Sequence, residues 1–236
     1  MKMKSARILA ASVSALFLLQ SAQAGDITGK VTVKGNVPAN KTFAMDPMCG
    51  KLHKVNKHEM PFYVVGKEGG LGDTLVQLKL TGKSQGAAAE AAMIDQVNCF
   101  YTPYVAAVQT GQTLKVRNSD PLMHNVHPTP RVAGNREQNI AQPFKGMVND
   151  FKFDKPEMFL RFKCDVHPWM FAYVSVLDHP YFAVTDKDGN FTIKNVPDGE
   201  YTIEAVHRKV HPKLEGATQK VKVSGGAAVN FELEVK

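Results

Sequence analysis

Helical patterning, cysteine and strong charge are all scarce in this chain, and each shortage narrows what it can be. Only one short stretch, "GAAAEAAMI" (residues 86–94), reads as helical, so the class is all-β rather than helical or mixed. No basic run with interleaved aromatics occurs, and the 29 Lys and Arg against 22 Asp and Glu leave a formal charge of only +7, which argues against nucleic acid as a partner. No glycine-rich phosphate loop is present, and no Ser-His-Asp set can be identified from residue order. The three cysteines, Cys49, Cys99 and Cys164, are an odd number, so at least one has a use other than pairing within the chain.

Long apolar runs are also missing. The longest, "ILAASVSALFLL", is too short to cross a bilayer comfortably. It follows the basic "MKMKSAR" and precedes the small residues of "QSAQA", an order that reads as a secretory signal peptide, residues 1–24, cut after Ala24. Removing Lys2, Lys4 and Arg7 leaves 26 cationic against 22 acidic residues, a balance of +4 that suits an acidic partner. No cysteine follows the cut, so a lipid anchor is not indicated. The expectation is an exported protein, periplasmic or secreted, with no membrane span; export permits a disulfide.

What is abundant is alternation. "ITGKVTVKG", "TLVQLKLTG", "QTLKVRN", "FLRFKC" and "AYVSVL" each place apolar residues at every second position, the signature of half-buried strands. Short strands punctuated by Gly and Pro predict a β-sandwich or barrel. A second unit begins near His179, where Asp188-Gly189 and Asp198-Gly199 read as hairpin turns between strand pairs. Residues 179–236 are few for a separate core, so this unit is expected to pack on the first.

The chemistry concentrates in "FLRFKCDVHPWMFAYVSVLD". Strand parity turns Leu160, Phe162 and Cys164 inward, and one turn can then bring His167 and Met170 to the same point, with Pro168 restraining the backbone after the histidine. A thiolate, imidazoles and a thioether form the donor set of a blue-copper site, in which two His and one Cys lie equatorially and Met is the weak axial ligand. Zinc fits the ligand types less well, because a thioether is a poor zinc ligand. The further imidazole must come from elsewhere, and "KVRNSDPLMHNVHPTP" offers His124 and His127 at a strand end; three residues apart, they face opposite sides of a strand.

These segments resemble the cupredoxins, the small blue copper proteins. "NSDPLMHNV" looks like the plastocyanin-type first ligand segment, "CDVHPWM" looks like the short amicyanin-type loop, and "FYTPYVAAVQTGQTLKVRN" fits the pattern before the first ligand. The resemblance covers about residues 74–178 and implies a Greek-key β-sandwich with one mononuclear copper held by His124, Cys164, His167 and Met170. It further implies that Asn125 ties the two ligand loops together and that His167 is the ligand nearest the surface. With Cys164 given to the metal, Cys49 and Cys99 are left to pair. A dinuclear copper centre needs two loop cysteines, and a multicopper oxidase needs a His-Cys-His motif; neither is in the sequence, so the expectation is a carrier of single electrons to a redox protein partner and not an enzyme. A copper-trafficking protein, or an adhesion module with a structural metal, are the alternatives.

Residues 25–73 stand as an extension before that core. "VTDKDGNFTIKNVPDGEYTIEAV" resembles the carboxypeptidase regulatory-like, transthyretin-type β-sandwich, and "GDITGKVTVKGNVP" resembles that module's first strand, so residues 27–40 are expected to pair near the C-terminus. His53 and His58, close to Met48 and Met60, are read as a charged loop rather than a second metal site. His207 and His211 have too few companions for a site. "TDKDGNF" lacks the downstream acidic ligands of a calcium loop and is read as a hairpin turn.

Overall fold

The computed structural model describes residues 23–54, 57–80 and 90–235. The expected signal peptide falls outside them except for Gln23 and Ala24. From the N-terminus come β1 (Ala24–Gly35), β2 (Thr42–Ala44), the short helix α1 (Pro47–His53), β3 (Lys57–Glu59) and β4 (Leu75–Leu78). Then follow β5 (Ala92–Val97), β6 (Phe100–Thr102), β7 (Val105–Gln109), β8 (Leu114–Asn118), β9 (His124–Thr129), β10 (Ile140–Gln142), β11 (Val148–Phe151), β12 (Glu157–Lys163) and β13 (Phe171–Leu177). The chain ends in β14 (Phe182–Val184), β15 (Asn190–Pro197), β16 (Gly199–Val206), β17 (Ala217–Val223), β18 (Ala227–Ala228) and β19 (Phe231–Val235). The protein is all-β.

Two sheets enclose the first core. One runs β11-β8-β5-β6 and the other β10-β9-β12-β13-β7. Ile94, Leu114, Val116 and Phe151 from the first meet Val126, Leu160, Phe162 and Val174 from the second, all fully buried. The inward parity read for Leu114, Val116, Leu160, Phe162 and Cys164 is the parity found. The segment 90–94, expected to end a helix, instead enters β5, with Ala92–Gln96 parallel to Leu114–Asn118 of β8; residues 86–89 of that stretch lie outside the described residues. Pairing with β8 and burial of Ile94 override the helical propensity of the alanines.

A second pair of sheets encloses another core. β1 is antiparallel to β15 and parallel to β18 and β19, so the N-terminal strand is locked between C-terminal ones. The facing sheet runs β14-β4-β16-β17. β4 therefore joins this sheet rather than the sheets that carry the cysteine-histidine cluster, and all four of its residues are buried. Alternation predicted one solvated face for it. That face is covered too: Leu75 packs with Val105, Phe159, Leu177 and Val206 in a third small core between the two sandwiches, while Val76 and Leu78 face the second core.

The turns at Asp188-Gly189 and Asp198-Gly199 are not hairpins. β14 and β16 belong to one sheet and β15 to the other, so each turn carries the chain across the sandwich. The reason is remote: β1 takes the place beside β15, and β4 the place beside β16. At the first crossing Asp186 Oδ1 accepts from the amides of Asp188 and Asn190, both at 2.9 Å, which uses that carboxylate to build the turn. Gly189 sits at φ +83°, and a Cβ there would meet Val31 O at 2.2 Å.

Candidate metal centre

β9 and β12 are antiparallel neighbours, with Lys163 opposite His127, so His124 at the start of one and Cys164 just past the end of the other meet at one end of the first sandwich. Two groups fix this meeting. Tyr101 donates its hydroxyl to Asn125 O and Lys163 O, at 3.1 and 3.2 Å. Asn125 Oδ1 accepts from Asp165 N at 2.7 Å, tying the two loops directly. The loop from Cys164 to Met170 closes on itself through Cys164 N to Met170 O at 3.0 Å and Met170 N to His167 O at 2.8 Å.

The outcome is a buried cluster. His124 Nδ1 is 3.0 Å from His167 Nδ1, and His167 Nδ1 is 3.8 Å from Cys164 Sγ. The ligand atoms of His124, Cys164 and His167 lie within 4.8 Å of one another. A separation of 3.0 Å suits two nitrogens that each sit about 2.0–2.1 Å from a shared first-row ion. Met170, 1 % exposed, packs in the same core cluster as Cys164 and Trp169. Exposure is 0 % for His124, 2 % for Cys164 and 6 % for His167, so His167 is the nearest of the four to the surface, yet still buried.

Electrostatics prepares the cluster for a cation. Burial pushes the Cys164 thiol up, but hydrogen bonds from the side chains of His124 and His167 and from the backbone amides of Asn125 and His167 outweigh it and bring the thiol to about 6. Burial pushes His124 down, while hydrogen bonds to Asp120 and Cys164 raise it to about 9. The thiol is thereby lowered and the imidazole raised, and a metal ion bound at this point would displace the proton they share.

His127 has another task. Its Nδ1 is 2.6 Å from Asp165 Oδ2 and its Nε2 2.7 Å from Glu137 Oε1, so both nitrogens are occupied away from the cluster. Asp165 also pairs with Lys163 at 2.8 Å, and Lys163 first, then His127, hold its carboxyl well below the usual range. Cys49 and Cys99 form a disulfide with a Cα–Cα distance of 5.8 Å. His53 and His58 pack around Phe100, with centroid distances of 4.9 and 3.6 Å to its ring, and no third His, Cys, Asp or Glu among the described residues joins them. His207 and His211 serve the backbone: their Nδ1 atoms accept from Val210 N and His207 N.

Three neighbours of the cluster were not legible as such in the sequence. Asp120 Oδ2 is 2.9 Å from His124 Nε2, and Asp46 Oδ2 is 3.2 Å from His167 Nε2. Tyr101 is the third. For Asp120 a signal existed: it stands four residues before His124 in "NSDP", where Asn118 Oδ1 accepts from Asp120 N at 2.9 Å and bends the chain. Asp46 and Tyr101 are remote in sequence from the ligand loops and carried none.

No family model matches the chain, and no curated protein does. Among solved structures, a copper-containing nitrite reductase from Thermus scotoductus SA-01 is 19 % identical with a TM-score of 0.34, over 42 % of this chain and 25 % of that one. The chain thus matches only a quarter of the reductase's length. A Cu(I) methionine-to-alanine mutant of amicyanin is 20 % identical with a TM-score of 0.33, over 43 % of this chain and 97 % of that one. A reduced proline-to-phenylalanine mutant of amicyanin is 25 % identical with a TM-score of 0.33, over 42 % of this chain and 98 % of that one. The chemistry of the site rests on its own residues.

Proposed function

We propose that this chain is an exported type 1 copper protein that carries single electrons between redox partners. The observation that carries this reading is the convergence of His124 Nδ1, His167 Nδ1 and Cys164 Sγ in a buried cluster. Cys164 would hold the copper through its thiolate, His124 and His167 through their imidazoles and Met170 through its weaker thioether. Bound at these donors, copper supplies one-electron Cu(I)/Cu(II) chemistry. Tyr101 and Asn125 brace the strands from which the donors project, so the donors need move little when charge changes. Four protein donors leave no open position for a substrate, which favours a carrier over an enzyme. Residues 179–236, joined by β1 and β4, are proposed to be a carboxypeptidase regulatory-like module, and residues 1–24 a signal peptide.

The test is to add Cu(II) to the purified protein and record visible absorption and paramagnetic resonance. An intense thiolate-to-copper band with narrow hyperfine splitting is expected, and a pale, ordinary Cu(II) spectrum would sink the reading. Reversible voltammetry then separates a carrier from a trafficking protein, which would lose its metal on reduction or transfer.

A further inference from the structure

Each imidazole of the cluster turns its outer nitrogen to a carboxylate, and the two carboxylates are held by the two halves of one disulfide. Asp120 is 2 % exposed. Its Oδ1 accepts from Asn98 N and its Oδ2 from Cys99 N, both at 2.7 Å, while Oδ2 also meets His124 Nε2. Asp46 is the N-cap of α1, and its Oδ1 accepts from Met48 N and Cys49 N, both at 2.8 Å. Its second oxygen, Oδ2, is not used by the cap and faces His167 Nε2. Cys49 and Cys99 are both fully buried, and their sulfurs sit within 4.8 Å of a nitrogen of His167 and of His124 respectively. The segment 46–53 would otherwise be a single helical turn or two with a three-residue hairpin beside it, too short to hold a position by itself.

We propose that Asp46 and Asp120 are positioning residues of the metal centre, one for each histidine. This deepens the copper reading and rests on it. A carboxylate at Nε2 fixes the ring's orientation and favours the proton on Nε2, which leaves the Nδ1 lone pair for the ion and raises its basicity. That assignment agrees with the Nδ1 atoms being the pair that converges. Neither aspartate touches the ion; each acts through its histidine. Asp120 acts from the interior and Asp46 from a surface segment anchored by the bridge, so the second is the one that can be changed without disturbing the core.

Helix capping and histidine positioning can be separated at Asp46. Ser and Asn cap helices about as well as Asp. Asp46→Ser keeps the cap but has no second oxygen to reach His167. Asp46→Asn keeps cap and volume but turns an amide N–H2 toward Nε2. The full chain and both variants are titrated with Cu(II), and affinity, absorption, hyperfine splitting and reduction potential are read alongside thermal stability. Both variants are expected to bind copper roughly 10- to 100-fold more weakly, with altered splitting and potential, at an essentially unchanged melting temperature. Asp120→Asn should lower affinity at least as much. If the unaltered chain gives the thiolate band and both Asp46 variants match it in affinity, splitting and potential, positioning by Asp46 is overturned. If the unaltered chain gives no such band, the copper reading itself falls, and the two failures cannot be confused.

Discussion

At the residue scale the proposed donor set divides strong ligands from a weak one. Cys164→Ala removes the only free cysteine and, on the copper proposal, should abolish the intense absorption band. Met170→Gln replaces the soft donor proposed as the weak ligand with a hard one, and should keep the band while lowering the reduction potential by voltammetry. A second residue-scale effect lies far from the cluster. His207 is 3 % exposed and stacks on Tyr63, and burial first, then Arg208 and His211, push its imidazole down to about 3. Because the unfolded chain takes up this proton near the ordinary value of about 6.5 and the folded one does not, His207 contributes stability above that pH and loses it as pH falls toward 3. The loss is of order a few kcal/mol. Asp73 works oppositely: burial raises it to about 6 against the pull of Arg208, so its share is lost as pH rises from about 4 to 6. A His207→Gln variant should therefore show a flatter fall in urea midpoint between pH 6.5 and 4 than the unaltered protein.

At the scale of elements, what holds the ligand strands matters more than the strands' own propensity. β10 and β11, within a long polar segment, extend the two sheets beside β9 and β8. Gln142, fully buried, closes this edge: its Nε2 donates to Val116 O and Asn149 Oδ1, its Oε1 accepts from Gln96 Nε2, and its backbone carbonyl accepts from Asn118 Nδ2. Gln142→Ala would strand several buried polar groups and should cost about 2–3 kcal/mol by urea unfolding. Tyr101→Phe removes one donor shared by two carbonyls, and a loss of about 1 kcal/mol is expected. Its more informative readout is the copper spectrum, since β9 and the end of β12 would no longer share that tie. An unchanged hyperfine splitting in Tyr101→Phe would show that Asn125 suffices.

At the scale of the molecule the two sandwiches are joined rather than strung together. Leu75, Val105, Phe159, Leu177 and Val206 form their shared core. Arg208 adds to the joint, with its guanidinium 3.9 Å over the Tyr173 ring and Nη2 donating to Tyr104 Oη at 3.0 Å. Unfolding should therefore be one transition. Fluorescence of Trp169, the sole tryptophan, reports the cluster end of the first sandwich, and far-ultraviolet circular dichroism reports all sheets; their urea midpoints should coincide. Two separated midpoints would show that the shared core does not couple the halves. Arg208→Ala should lower the common midpoint, by an amount equivalent to about 1–2 kcal/mol of stability.

The sequence by itself determined the class, the inward parity of Leu160, Phe162 and Cys164, and the local spacing that lets Cys164, His167 and Met170 share a loop, because strand alternation and short turns are set by neighbouring residues. Parity also put His124 and His127 on opposite faces, but which of them meets His167 was left to the fold. Only the tertiary structure decided that β1 and β4 displace the two expected hairpins, that β4 is buried on both faces, and that residues 92–94 form a strand, because each depends on a partner far along the chain. The carboxylate behind His167 belongs to this second group. Asp46 is more than a hundred residues from His167, and only the fold, pinned by a bridge spanning 50 positions, brings its free oxygen to that ring.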